Sequence, residues 1–395
     1  MRSPWIRRAA VAAAALALAG CGAKFELPTE SAGRAIPPDG SYQMIATWPG
    51  KNGIRDLTLT SGAGSQLFAL FNTGGSGAGS RGTVYEIARS NGNQIGPTFT
   101  GLFNPIALTS GSESGPANRL FVLDQGDTCM ARQNPANGSC DSTGGWSNKL
   151  THIEFYWKLV EYDLLGSAKS AFTDTAMAYV NGVAADNQGN VFIAGVAIIH
   201  LPTTDPRLTE RVFEHRVWRY RRGLRPDGNA DPTVVDPVTG VANGAWHRDQ
   251  DFELRQGTGV GAVIEARGLQ WQPYNGPALF VADLGNFRIE KTRDGNATLP
   301  IDSYYHTLDI PDAPRLMEPL DVCTDPTGFF YVADATGAQV LRFDDNTRTY
   351  VQRVDVEPDA TGRPLVRPVT VAADDVYAYI GDAATGQIIR YRRRT

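Results

Sequence analysis

Short, nearly continuous apolar runs come in pairs along this chain, each pair split by a turn rich in Asp, Asn or Gly. Leu57-Thr-Leu-Thr60 leads to Leu67-Phe-Ala-Leu-Phe71, and Ile106-Ala-Leu-Thr109 to Leu120-Phe-Val-Leu-Asp124. The pattern returns as Val183-Ala-Ala-Asp186 with Val191-Phe-Ile-Ala-Gly195, then Leu269-Gln-Trp-Gln272 with Leu279-Phe-Val-Ala-Asp283. Leu320-Asp-Val-Cys323 with Phe330-Tyr-Val-Ala-Asp334 is the fifth pair, and Val369-Thr-Val-Ala372 with Ala378-Tyr-Ile-Gly-Asp382 the sixth. A third segment follows each pair and alternates more clearly, as in Thr83-Val-Tyr-Glu-Ile87 and Gln387-Ile-Ile-Arg-Tyr391. Continuous runs mark strands covered on both faces, and alternation marks half-exposed ones. Six copies with a minimum spacing of about 50 residues predict six blades of an all-β propeller. The sixth copy lacks an outer strand, while Tyr42-Gln-Met-Ile-Ala-Thr-Trp48 has no blade of its own. That N-terminal strand is expected to complete blade six and close the ring, which removes an open edge.

At Ala282-Asp-Leu-Gly-Asn-Phe-Arg-Ile289 the sequence resembles the NHL repeat, with looser matches where Gln339 and Gln387 replace the Asn. The resemblance implies a six-bladed β-propeller over residues 41–395. The Asp that closes the second segment (Asp124, Asp283, Asp334, Asp382) recurs once per blade, which marks a turn cap and not a catalytic carboxylate. Asn72 and Gly195 replace it in two blades.

Ahead of the propeller, Arg2, Arg7 and Arg8 precede the apolar run 9–19, which is too short to span a bilayer. The run ends in Leu18-Ala19-Gly20-Cys21, which resembles a bacterial lipobox. The resemblance implies a signal peptide over 1–20, lipidation of Cys21 and a lipid-anchored, extracytoplasmic protein in the cell envelope, with the outer membrane favoured in a diderm host because Gly22 follows the Cys. Residues 21–40, with Pro28, Pro37 and Pro38, read as a flexible tether.

The net charge of −5 argues against a nucleic-acid partner, since phosphate binding needs a basic field. The closing Arg390, Arg392, Arg393 and Arg394 are read as a solvated chain end. Cys129 and Cys140 sit eleven apart in a polar stretch, where a disulfide would contribute about 3 kcal/mol; a metal pair is the other reading, with only His152 nearby. Cys323 reads as a small buried hydrophobe.

Aligning the repeats places Arg55, Asn104, Asn181, Arg267, Glu318 and Arg367 at the entry to each inner strand, around one mouth of the channel. Three arginines there suit an anionic ligand; a mutually satisfied polar network is the alternative. Insertions at 125–157, 196–214 and 223–264 are expected on the same face of blades two to four. Trp146, Phe155, Tyr156, Trp157, Trp246 and His247 make them aromatic, as recognition surfaces are.

Gluconolactonase-like and paraoxonase-like propellers hold a catalytic metal on the channel axis. By that resemblance Asn104, Asn181, Glu318 and Glu265 could be cast as ligands, although three arginines oppose a cation. The five His lack metal-ligand spacing, and no nucleophile elbow or phosphate loop follows a strand. Gly257-Thr-Gly-Val-Gly261 reads as a turn. The expectation is a binding scaffold for a protein or a small anionic ligand, with no catalytic residue, metal or cofactor assigned. A metal-dependent hydrolase or lactonase of the gluconolactonase-like type is the alternative.

Overall fold

The strand Leu67–Asn72 is buried at all six positions, because apolar neighbours cover both of its faces. Leu67, Ala69 and Phe71 pack to one side against Val369 and Tyr379. Phe68 and Leu70 pack to the other against Leu108, Leu120 and Val122. Repeated around the chain, this two-sided burial builds the fold. The computed structural model describes residues 41–394 apart from 62–63, 74–81, 113–117, 126–156, 175, 203–208, 223–245, 274–276, 294–302, 357–361 and 363.

The chain enters on β1 (Tyr42–Trp48). Blade one is β2 (Ile54–Leu59), β3 (Leu67–Asn72), β4 (Gly82–Ile87) and β5 (Gln94–Phe99). Blade two is β6 (Pro105–Ser112), β7 (Asn118–Asp124), β8 (Lys158–Asp163) and β9 (Ala168–Phe172). Blade three adds a short fifth strand: β10 (Met177–Ala185), β11 (Val191–Pro202), β12 (Thr209–Arg222), β13 (Trp246–Gln256) and β14 (Ala262–Val263). Blade four is β15 (Ala266–Gln272), β16 (Ala278–Asp283), β17 (Arg288–Arg293) and β18 (Ser303–His306). Blade five is β19 (Pro319–Thr324), β20 (Phe329–Asp334), β21 (Gln339–Asp344) and β22 (Thr349–Arg353). Blade six is β23 (Pro368–Ala373), β24 (Tyr377–Asp382) and β25 (Gln387–Arg393), and β1 completes it.

The innermost strands touch in the cyclic order β2, β6, β10, β15, β19, β23 and back to β2, so the sheets form a closed six-bladed propeller. Six hydrophobic clusters fill the six seams between neighbouring blades. The expected closure is present: β1 pairs antiparallel with β25 from Tyr42 opposite Arg393 to Trp48 opposite Ile388.

Several expectations need correction. Third strands are not uniformly half-exposed: β21 is buried over Gln339–Phe343, because the neighbouring blades cover both faces. The C-terminal arginines are not a free chain end. Arg390 stacks on Tyr377 at 3.9 Å, and Arg393 approaches Asp325 at 3.9 Å from within β25. The 223–264 insertion does not lie on one face. Arg222 pairs with Trp246 at the end of the blade opposite the inner-strand entries, so the chain leaves β12 and enters β13 at that far end, and 257–265 lies at the entry face. Trp157 and Trp246 are core residues, 0% and 1% exposed, wedged between blades two and three. The N-terminal segment with Cys21, the pair Cys129 and Cys140, and Trp146, Phe155 and Tyr156 lie outside the described residues. Cys323 is a free thiol buried in β19 as expected.

Candidate functional site

Each inner strand starts at the same end of the ring, which defines the mouth face, and each loses one step of register against its partner there. The ladder skips Arg55 in β2, Ile106 in β6, Asn181 in β10, Leu320 in β19 and Val369 in β23, and slips across Arg267–Gly268 in β15. A bulge of this kind turns the extra side chain out of the ladder, and five of these positions line the channel.

The predicted mouth residues therefore divide between two levels. Arg55, Asn181 and Arg267 sit at the bulge. Asn104, Glu318 and Arg367 sit two residues earlier, level with Gly53, Tyr179 and Glu265. The alignment matched Asp56, Gly182 and Gly268, which follow the bulge, to Pro105, Pro319 and Pro368, which precede it; no single-residue pattern in the sequence marks the slip.

The entry level is held by the per-blade Asp. Asp124 accepts from the Phe103 and Asn104 amides at 2.7 Å each. Asp334 accepts from Met317 and from Glu318 at 2.6 Å. Asp382 accepts from Val366 and Arg367, and also from Ala384 and Thr385 in its own turn. In blade four Asp283 accepts from Ile264, and Arg288 ties down the preceding loop through the Thr258, Gly259 and Ala262 carbonyls at 2.8–2.9 Å. The Gly257–Gly261 stretch is thus a pinned turn. These carboxylates are spent on backbone, as expected of caps.

The charged rim is largely self-paired. Arg367 donates to Glu318 at 2.8 Å, and Thr336 to its other oxygen at 2.5 Å. Arg267 pairs with Glu265 and leans on Asn181 at 3.4 Å. Asn104 accepts from the Asn72 amide at 2.7 Å. Arg55 differs: it is exposed on the channel lip and pairs with no carboxylate among the described residues.

Those contacts also test the metal reading. The four oxygen donors that would serve it are each engaged by a neighbour, at different levels of the ring, and no three His, Cys, Asp or Glu side chains converge among the described residues. The residues present do not fit an axial catalytic metal.

One step below the bulge lies chemistry that the sequence reading missed. Asp56 of blade one and Asp321 of blade five line a cavity of about 60 Å³ in the channel, room for a few waters. Each carboxylate bridges to the next blade. Asp56 accepts from Leu108 at 2.7 Å, and Asp321 from Val371 at 2.9 Å. Thr370 of blade six accepts from Leu57 at 2.9 Å and lies 2.8 Å from Asp321 and 3.2 Å from Asp56. Burial, then the Asp321 charge, raises the Asp56 carboxyl well above its ordinary range, and burial pushes Asp321 up to about 6. The equivalent residues are Ala107, Gly182 and Gly268 elsewhere, where a Cβ on either glycine would collide with the next blade's backbone. Asp56 and Asp321 each stand directly before an apolar residue of an inner strand, a pattern that an ordinary surface carboxylate also shows.

At the far end the channel opens into a basin of about 370 Å³. Arg89 there is fixed by Asp374, by the Ser65 hydroxyl at 2.6 Å and by the Tyr379 hydroxyl at 2.7 Å.

Comparison with known protein families finds no match, and comparison with curated protein sequences finds none either. Among solved structures the chain is similar to the PQQ-bound form of Aldose Sugar Dehydrogenase from Streptomyces coelicolor, with a TM-score of 0.48 and 13% identity, covering 91% of this chain and 100% of that one. No functional reading follows from that likeness.

Proposed function

We propose that this propeller is a protein-binding module that works through its mouth face. One observation carries the reading. Of the eleven exposed large hydrophobics among the described residues, seven lie at that end of the ring: Phe213, Val260, Phe287, Leu308, Met317, Val356 and Val366. Five of these stand on the connections of blades four to six and Val260 on the β13–β14 turn of blade three, at the same end of the ring as Arg55. Exposed apolar groups gathered on one face, rimmed by charge, mark an interaction surface. The partner this face suits is a protein patch of apolar side chains around a carboxylate, which Arg55 would receive. The metal-dependent hydrolase reading has no support from the donors described above.

We also propose that the module is carried outside the cytoplasm on a lipid at Cys21. β1 begins at the far end of the ring, where Tyr42 pairs with Arg393. A photo-crosslinking residue at Met317 or Val366 should capture one protein in intact envelopes, and the same probe at Leu165, on the far-end turn of blade two, should not. Equal labelling from both faces would overturn the assignment.

A further inference from the structure

Asp56 and Asp321 line the same stretch of the channel, and among the described residues neither forms an ion pair with a basic side chain. Of the strands that surround them, β6, β10 and β23 offer Ala107, Gly182 and Thr370, and β15 offers Gly268 and Gln270. The charged neighbours point elsewhere: Arg55 reaches solvent at the lip and Arg267 is held by Glu265. On β19 the remaining groups are the Cys323 thiol, whose pKa burial holds well above its ordinary value, and Asp325, which is tied to Tyr331. Two half-buried carboxylates this close to one hydroxyl, with no basic side chain on either among the described residues, repel one another when both are ionised.

One hydroxyl stands between the two carboxylates. The Thr370 hydroxyl has one proton and two lone pairs, and the Leu57 amide is shared between it at 2.9 Å and Asp56 Oδ1 at 2.8 Å. Val322 donates to the other oxygen of Asp321 at 2.8 Å. The hydroxyl proton goes to Asp321, the nearer carboxylate at 2.8 Å. Asp56 then faces a hydroxyl lone pair at 3.2 Å, a contact that a proton on Asp56 turns into a hydrogen bond.

We infer that the channel wall carries a single proton-binding site, shared by Asp56 and Asp321 through the Thr370 hydroxyl, whose occupancy locks blades five, six, one and two to one another. The proton comes from water in the channel cavity and returns to it. Its loss leaves two negative charges, one on either side of Thr370, and their repulsion opposes the packing that brings Leu57, Leu108 and Val371 together. The bonds of these three amides cross three neighbouring seams, between blades five and six, six and one, and one and two, so the site acts on how four of the inner strands pack around the channel. Both carboxyls are raised in the folded state. The lock is therefore fully present below the ordinary carboxylate range, near pH 4, and is lost as pH rises through the raised range of the pair, about 6 where Asp321 is concerned.

Carboxyl-carbon NMR of the labelled wild-type protein reads the site directly. At pH 5, above the ordinary carboxylate range, we expect at least one of the two channel carboxyls to remain protonated; two ionised carboxyls at that pH would overturn the proposal. Amide exchange adds the mechanical test. With rising pH, exchange at Leu57, Leu108 and Val371 should accelerate by up to about tenfold per pH unit beyond the intrinsic base-catalysed rise. Asp56→Asn, which supplies a permanent donor toward Thr370, should show the intrinsic rise alone, as should Asp321→Asn, and Thr370→Val should exchange fast at every pH. Parallel profiles in wild type and Asp56→Asn would also overturn it. Should a variant fail to fold, the wild-type carboxyl titration still decides.

Discussion

The Tyr42 and Tyr331 hydroxyls meet at 2.8 Å although 289 residues separate them in the chain. Tyr331 donates to Asp325 at 2.7 Å, so its one proton is spent and Tyr42 must be the donor to Tyr331. Their rings pack edge to face, with centroids 6.2 Å apart, inside the seam between blades five and six. This contact fastens the first strand of the propeller to a blade that it does not belong to. Burial pushes the Tyr42 hydroxyl up to about 12, which keeps it a donor through the neutral range.

Tyr42→Phe removes the donor while keeping the ring. A loss of about 0.5–1.5 kcal/mol is expected from one buried neutral hydrogen bond, read as a shift of the urea midpoint at unchanged slope. Tyr42→Ala should cost several-fold more, since a fully buried aromatic leaves a cavity.

The per-blade Asp gives a second test. Asp382→Ala strands four backbone N–H groups around the blade-six entry, and a loss of roughly 2–4 kcal/mol follows. Asp382→Asn keeps an acceptor and should lose less. An unchanged midpoint in the alanine variant would show that the caps do not hold the mouth.

The ion pair at the rim is a weaker element. Arg367 is 48% exposed where it meets Glu318, so Arg367→Ala should cost less than about 1 kcal/mol in stability. Arg288 is 5% exposed and bonded to three carbonyls as well as to Asp283. Arg288→Ala should cost roughly 3–5 kcal/mol and free the 257–262 turn, visible as faster amide exchange at Gly261.

Glu290 supplies a pH dependence of its own. It accepts from the Gly261 amide at 2.7 Å, and burial pushes its carboxyl up to about 7 even with Arg288 at 3.3 Å. A folded value above the unfolded one, near 4.3, means that its contribution is complete below about pH 4 and is lost as pH rises through about 7. Unfolding midpoints measured from pH 4 to pH 8 should fall for this reason, and Glu290→Gln should flatten that part of the curve. Exchange at Leu57, Leu108 and Val371 should be unaffected by Glu290→Gln, which separates this turn from the channel pair.

Much of this architecture was legible in the order of residues. Strands buried on both faces must be apolar throughout, so the second strand of each blade announces itself, and six copies of one pattern imply six blades. An unpaired strand before the first copy and a blade one strand short at the end imply closure by β1. The caps were legible because a residue recurring once per blade at one turn has a backbone role.

Two kinds of fact depended on the fold. Register at the mouth turns on a one-residue bulge, which costs nothing in composition and leaves no mark in the pattern; Arg55 and Glu318 therefore looked equivalent and stand two residues apart. The burial of Trp157 and Trp246 also came only with assembly, since an aromatic in a long connection reads the same whether it meets a partner or the neighbouring blade. Asp56 and Asp321 lie 265 positions apart, and nothing local distinguishes either from a surface carboxylate. The sequence by itself determined how many blades there are and how the ring closes, because those follow from local patterns of burial. Only the tertiary structure decided which side chains share the channel, because ring closure brings together strands whose separation along the chain carries no information about their distance in space.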